Sequence, residues 1–496
     1  MNAQRLQGHD GNGEPEGTLE DAAEGSVLTS LNPATGGIVW QGREASDAQV
    51  ERAVRAAAEV LPSWRATRLE DRMAIVRAYG AQLAAEREEV ASLITRETGK
   101  LPTDARAEVA TSVAKVELSI RALEQRRADF SGELSGAAAE IRYRSLGVVV
   151  VLGPFNFPLH LPGGQIIPAL LAGNSIVFKP SEYAPAVGHL MVEAWKRAGL
   201  PSGVMQIVQG GPRVAQSAIA HPATQGVMFT GSYRGGQAIH RQLAGRPDVL
   251  LALEMGGNNP LVVLEPGNVQ LTAGAICASA FASSGQRCTC TRRLFVVDHP
   301  HADALLVELA GRVQRLRSGL PGDDPEPFIG PLISSHAATQ VLQAEARYRL
   351  AGGGSLVAIA RCGRSPALLS PGLIDMTEGA HEVEDEEVFG PLLQVYRCRS
   401  FEAAVALARK SRYGLAAALF GGTRSQFETF RDCIGAGIVN WNRPTTGASG
   451  GLPFGGLGAS GNHRPAGFWM IDACNDPVVS LRAEVIHDDG FDRSQL

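Results

Sequence analysis

The residue in this chain best suited to covalent chemistry is Cys288. It follows Ser283, Ser284, Gly285 and Gln286, a small and flexible approach, within the stretch FASSGQRCTCTRR (residues 281–293). A thiol attacks as the thiolate, so it needs either a lowered pKa or a neighbouring base. Upstream, residues 253–260 (LEMGGNNP) offer one carboxylate, Glu254, in an apolar and glycine-rich setting. Burial raises the pKa of such an acid toward the range in which it works as a general base. The pair predicts covalent thiol catalysis with water activated by Glu254, provided that the fold brings the two together.

Four further motifs carry candidate groups. In GPFNFP (153–158), Asn156 has a side-chain NH2 that could serve an oxyanion. The alternative is a turn asparagine bonded to its own backbone. FKPSEYAP (178–185) sets Lys179 and Glu182 at the carboxyl end of a strand, where open α/β sheets bind ligands. They suit ribose hydroxyls or phosphate, or else they are solvated charges at a helix start capped by Ser181. FTGSYRGG (229–236) puts Gly231 and Ser232 where backbone N–H groups at a helix start hold pyrophosphate. EEVFGP (386–391) offers Glu387 for a sugar diol and Phe389 for a flat heterocycle, against the reading of an acidic loop with a core phenylalanine. GLGASG (456–461) matches a dinucleotide pattern but follows a Pro-Phe-Gly-Gly loop rather than a strand, so it is read as a turn. Cys288 and Cys290 lack a second Cys or His pair at ligand spacing, so no metal is expected.

These groups need a scaffold, and the chain is long enough to build one. Its 496 residues predict roughly two to three domains of about 150 residues each. Hydrophobic residues at 44%, charged at 20% and 57 glycines fit an α/β enzyme. A net charge of −5, with no basic block, makes nucleic acid and anionic membrane poor partners. The seven cysteines form an odd set without framework spacing, which points to a reducing compartment, and six of them are read as small hydrophobes. The first residues have no apolar signal core and no run nears a membrane span, so the cytoplasm is expected.

Residues 1–25 read as a mobile tail, and 27–40 as a short strand pair. Helical periodicity covers 46 to about 129, with Ser46 as a cap. From Val148 the texture changes. VVVVL, SIVFKP, MQIVQG and GVMFTG, and later PLVVL, RRLFVVD, LLQVYRC, ALF and GIVNWN, are apolar runs spaced by helix-length segments. That is the pattern of parallel strands with crossover helices. Residues 478–481 read as a strand added to another sheet, a partner subunit's being one alternative.

Taken in order, GPFNFP, FKPSE, FTGS, LEMGGNNP, GQRC, EEVFGP and PFGGLGASG resemble the aldehyde dehydrogenase superfamily over roughly residues 26–483. The resemblance implies an α/β fold of two open twisted Rossmann-like domains plus a small β oligomerisation extension. It implies an NAD-binding domain at 26–133 and 148–255 and a catalytic domain at 256–450. Oligomerisation strands would lie at 134–147 and 474–484, and a loop near the active site at 451–473. It gives Cys288 as nucleophile, Glu254 as base and Asn156 as oxyanion donor. Lys179 and Glu182 would meet the adenosine ribose, Gly231 and Ser232 the pyrophosphate, and Glu387 and Phe389 the nicotinamide riboside. Because Glu182 would repel a 2′-phosphate, NAD is expected over NADP. The expected partners are a small-molecule aldehyde and further copies of the chain, as a homodimer or homotetramer.

Beyond Asn156, His160, Gly163 and Gly164 stand where many relatives carry bulkier groups, which widens a channel for a long substrate. Such a substrate, bearing several carboxylates, would need cations; Arg287 and His463-Arg464 are candidates beside His160, the alternative being that Arg464 is a structural loop arginine. Acyl transfer to coenzyme A is a rival outcome, opposed by Glu254. A non-catalytic scaffold would be expected to lose Cys288, Glu254 or Asn156. A cysteine hydrolase would need a histidine partner for the thiol, and none stands in a recognisable motif.

Overall fold

The computed structural model describes residues 25–134, 137–379 and 383–483. The stretch expected to be a mobile tail therefore lies outside the described residues except for Gly25, as does residue 484. Strands β1 (Val27–Leu31) and β2 (Ile38–Arg43) form an antiparallel pair. Helices α1 (Asp47–Ala66), α2 (Leu69–Ala85), α3 (Arg87–Thr98) and α4 (Pro102–Arg126) follow. A capping box of Ser46 and Gln49 starts α1. Pro102 sits in the first turn of α4, where its missing N–H does no harm.

After β3 (Phe130–Leu134) and β4 (Ala137–Ser145), strands and helices alternate. The order is β5 (Val148–Leu152), α5 (His160–Leu171), β6 (Ser175–Lys179), α6 (Pro185–Arg197), β7 (Met205–Ile207), α7 (Pro212–Ala220), β8 (Thr224–Gly231), α8 (Tyr233–Gln242) and β9 (Leu250–Met255). Its five strands are all parallel, in the order β7-β6-β5-β8-β9. Every residue of β5 is buried. Val149 and Val151 enter the core shared with α2 to α6, while Val148, Val150 and Leu152 enter the one under α1 and α7. That division by twos is why the strand reads as an unbroken apolar run. The chain leaves β5 toward β6 on one side and returns to β8 on the other. The crevice at such a switch point, outside the carboxyl ends, is where ligands bind.

The second half repeats the logic with β10 (Asn259–Val263), α9 (Val269–Phe281), β11 (Thr291–Val297), α10 (Ala302–Arg315), α11 (Ser335–Leu350), β12 (Gly354–Val357), β13 (Gly372–Asp375) and β14 (Leu392–Cys398). Strands Ala416–Phe420 and Ile438–Trp441 complete a seven-stranded sheet in the order β12-β13-β14-β11-β10 and then those two. Only the edge strand β12 runs antiparallel to its neighbour.

A third, three-stranded sheet takes up the last described strand. Asn475–Arg482, expected as a strand added to another sheet, is added within its own chain. It pairs antiparallel with β4 of its own chain, from Asn475 opposite Ser145 to Arg482 opposite Ala138. The hairpin of β3 and β4 leaves one long edge of β4 unpaired, and the chain end supplies the missing ladder. Among the described residues no helix is long and apolar enough to cross a membrane.

Candidate active site

The approach to Cys288 is a strained turn. Ser283 (φ 50), Ser284 (φ 59) and Gly285 (φ 72) are successive left-handed residues after α9. Each non-glycine residue held there costs on the order of 1–3 kcal/mol, so its surroundings must hold it. Ser284 does so through its hydroxyl, which donates to the Gly330 carbonyl and accepts from the Gly330 N–H, both at 2.9 Å. Gln286 Oε1 accepts from the Ile333 N–H at 3.0 Å. At Gly285 a β-carbon would stand 2.2 Å from the Gly390 carbonyl oxygen, so no other residue fits. Asn259, the first residue of β10, completes the clamp. Its Nδ2 donates to the carbonyls of Cys288 (2.7 Å) and Cys290 (2.8 Å), and its Oδ1 accepts from the Ala416 N–H (3.0 Å).

Cys288, Glu254 and Asn156 line one cleft of about 900 Å³. Asn156 is buried, and its Nδ2 donates to the Gln286 carbonyl at 3.0 Å. An amide nitrogen has two hydrogens, so one is left to face the cleft. Glu254, near the end of β9, accepts from the Ala466 N–H through Oε1 at 3.3 Å, while its Oε2 is buried without a partner. Burial holds this carboxyl well above the usual range, against smaller lowering effects of the Ala466 N–H and Lys115. The Cys288 thiol is pushed up to about 12, first by burial and then by the carboxylates of Glu387 and Glu254. Of the two routes to a thiolate, a lowered pKa is therefore absent, and the neighbouring base is present.

On the other side of the cleft stand the residues read as cofactor contacts. Lys179 ends β6 and donates from Nζ to the carbonyls of Gly210 (2.6 Å) and Pro180 (2.8 Å), with Glu182 Oε2 3.8 Å away. Gly231 ends β8, and Ser232 caps α8 by accepting from the Gly235 N–H at 3.1 Å. Apolar side chains of α7 and α8, among them Ala215, Ile219, Ala238 and Ile239, wall the space beyond. Glu387 Oε1 lies 3.6 Å from Arg292 without a hydrogen bond. Burial raises its carboxyl to about 7, with Arg292 the main opposing influence. A β-carbon at Gly256 would stand 1.6 Å from Glu387 Oε2, so the carboxylate depends on that glycine. Phe389 meets Phe155 edge to face, with ring centroids 5.9 Å apart. Glu387 with Arg292 behind it, the Lys179–Glu182 pair, the capped helix start and the apolar slot together suit a dinucleotide of ribose, phosphate and flat rings.

The expected substrate residues divide. His160, at the start of α5, lines the cleft, and so does Gly164. Burial first, then Lys115 and Lys100, hold the His160 imidazole well below its usual pKa, so it is neutral rather than cationic. Arg287 and Arg464 are corrected. The Arg287 guanidinium turns to Asp104 (3.1 Å) and Ser283 Oγ (2.9 Å) and does not line the cleft, because a carboxylate on α4 is its nearer partner. Arg464 is exposed. The backbone turns at His463 (φ 65), which sends Arg464 to solvent and brings Ala466 to Glu254.

Sequence reading missed three residues. Asn259 stood inside LEMGGNNP, where the carboxylate drew attention. Arg292 is fully buried behind Glu387, and the signal was a pair of arginines opening an apolar strand. Lys115 on α4 lines the cleft yet passes in the sequence for a solvated helix lysine.

The aldehyde dehydrogenase family model matches residues 20–477. The N-succinylglutamate 5-semialdehyde dehydrogenase of Salmonella dublin is 45% identical over 460 residues, 93% of each chain. Among solved structures, the NADP-dependent glyceraldehyde-3-phosphate dehydrogenase of Bacillus halodurans, complexed with NADP, superposes with a TM-score of 0.84 at 28% identity. The match covers 92% of this chain and 96% of that one. A Sinorhizobium meliloti protein complexed with NAD gives 0.87 at 26% identity, covering 94% and 96%. The two sheets, the cleft between them and these likenesses agree: the chain belongs to the aldehyde dehydrogenase family, NAD(P)-dependent oxidoreductases acting on aldehydes.

Proposed function

We propose that this enzyme oxidises N-succinylglutamate 5-semialdehyde to N-succinylglutamate, a step of arginine catabolism, with NAD as the oxidant and a thioester on Cys288. The observation that carries the chemistry is the unpartnered Oε2 of Glu254, buried in the cleft that Cys288 also lines. The substrate rests on relatives of that name at 44–45% identity over 93% of this chain.

In the reaction, Cys288 Sγ bonds to the aldehyde carbon and its proton passes to the Glu254 carboxylate. The carbonyl oxygen becomes an oxyanion, which the free Asn156 N–H and the Cys288 backbone N–H receive. NAD, when bound, supplies the acceptor for the hydride of that carbon. Glu254, having passed its proton to solvent, then takes one from a water whose oxygen attacks the thioester carbon. The carbon–sulfur bond breaks and Cys288 recovers a proton. A site built to hand the acyl group to coenzyme A would need this base for the thiol proton but not for activating water.

Lys179 and Glu182 would hold the adenosine ribose, Gly231 and Ser232 the pyrophosphate at the α8 start, and Glu387 the nicotinamide ribose with Phe389 beside the ring. The acid at Glu182 favours NAD over NADP by repelling a 2′-phosphate. We assign 26–133 and 148–255 to the cofactor domain, 256–450 to the catalytic domain and 451–473 to the active-site loop. Strands within 134–147 and 474–484 would join copies of the chain into a homodimer or homotetramer. The cytoplasm suits an enzyme whose seven cysteines are all free thiols.

The test is NADH formation with N-succinylglutamate semialdehyde, succinate semialdehyde and glutamate semialdehyde, for wild type and Cys288→Ala. Preference for the succinylated aldehyde, abolished in the variant, is the expected result. Equal turnover of a shorter aldehyde would overturn the substrate and keep the chemistry.

A further inference from the structure

Cations near the substrate end of the cleft are mostly committed elsewhere. Lys100 Nζ pairs with Glu108 and lies 3.8 Å from the Phe157 ring centre. Arg287 is held by Asp104 and Ser283. His160 is neutral. Lys115 is different. It stands on the inward face of α4, one turn after Thr111, and both line the cleft. The residue is 8% exposed, yet among the described residues its ammonium has no hydrogen-bond or ion-pair partner. Among the described residues the carboxylate that acts on it is Glu254.

The path of this side chain depends on Gly164. A β-carbon there would stand 2.9 Å from Lys115 Nζ and 3.3 Å from Cε, so the missing side chain of α5 is the space the lysine occupies. The side chain is buried along its length while its ammonium opens on the cleft without a protein partner, so an anion bound there would complete its hydrogen bonds in place of water.

We propose that Lys115 is the specificity-determining cation of the cleft, receiving through Nζ a carboxylate that the substrate carries at a distance from its aldehyde. The inference rests on reading the cleft as the site of a carboxylated semialdehyde. A hydrogen bond to a charged group implies a roughly 10- to 150-fold effect on selection.

The experiment compares kcat/KM for N-succinylglutamate semialdehyde, succinate semialdehyde and hexanal in wild type, Lys115→Met and Lys115→Arg. The ratio of carboxylated to neutral aldehyde should fall about 10- to 150-fold in Lys115→Met, through KM, and be largely restored in Lys115→Arg. Equal loss for both classes in Lys115→Met would overturn the proposal and leave Lys115 a packing or Glu254-positioning residue. If Lys115→Met does not fold, the wild type still decides. Burial brings Lys115 to about 8, so KM for the carboxylated aldehydes should climb above that pH while KM for hexanal does not. Glu254 and neutral His160 face the same space, so the KM rise is also followed in Lys115→Arg, which stays charged: a rise that persists there would belong to Glu254 and overturn the proposal. Should wild type prefer succinate semialdehyde, the succinylated substrate is wrong, and the Lys115 ratio measured on the preferred acid still decides the inference. No preference for either acid over hexanal would overturn both.

Discussion

Glu254 and Cys288 divide the reaction between them, and the division can be tested at single atoms. Glu254→Gln keeps the size and the Ala466 contact but removes the base. Thioester formation needs the base for one proton and hydrolysis needs it again, with water the weaker nucleophile. The variant should therefore lose roughly 10²- to 10⁴-fold in steady-state turnover while stopped-flow still shows NADH released in a first slow turnover. Asn156→Ala should lose about 10²- to 10³-fold in kcat with a smaller change in KM, since its free N–H serves charge that exists only after attack. Glu254 also sets a pH dependence. Its carboxyl is raised in the folded enzyme, and only the carboxylate accepts a proton. Turnover should rise with pH through a midpoint well above the ordinary glutamate value of about 4.3, and this limb should vanish in Glu254→Gln. A profile flat from acid to neutral pH would remove Glu254 from the rate-limiting step.

The elements around these residues hold a strained turn in place, and Asn259 is their hinge pin. Removing its amide leaves the carbonyls of Cys288 and Cys290 and the N–H of Ala416 unpaired in the interior. Each such group costs about 1–3 kcal/mol, so Asn259→Ala should lower the melting temperature and turnover together, and Asn259→Asp should restore neither. A variant that melts like wild type would show the turn to be held by Ser284 and Gln286 alone. A second buried anchor is Glu97 at the end of α3. It accepts from Ser30 Oγ (2.7 Å) and from the Ala186 and Val187 N–H groups that open α6 (2.9 and 2.8 Å). The central strands were legible because residues such as Val148–Leu152 are apolar on both faces, and Cys288, Glu254 and Asn156 because each sits in a distinctive motif. Arg287 misled because adjacency in sequence says nothing about which way a side chain leaves a left-handed turn. Lys115 was hidden because α4 has charged residues all along it, and only the gap at Gly164, on another helix, makes this one face a cleft.

At the scale of the molecule, the three-stranded sheet leaves an apolar face uncovered. Pairing sets Phe130 opposite Ile141 and Ile141 opposite Val479, so the three form a row across the sheet. Leu134 and Leu481 share that face by the period of two, and Phe130, Leu134, Val479 and Leu481 are 50%, 60%, 68% and 61% exposed. Both outer edges, β3 and Asn475–Arg482, also lack a further strand among the described residues. Apolar rows and open edges of this kind mark association surfaces. On the homo-oligomer proposed above, light scattering should find two or four chains per particle, and Val479→Asp should shift the population toward monomer. The charge would be placed in the middle of the row, where burial against a partner costs several kcal/mol without a counter-ion. Because Val479 lies in the small sheet and not among the cleft residues, the monomer should keep its fold by circular dichroism. A wild type that is monomeric at micromolar concentration, or an oligomer indifferent to Val479→Asp, would assign this face no part in assembly.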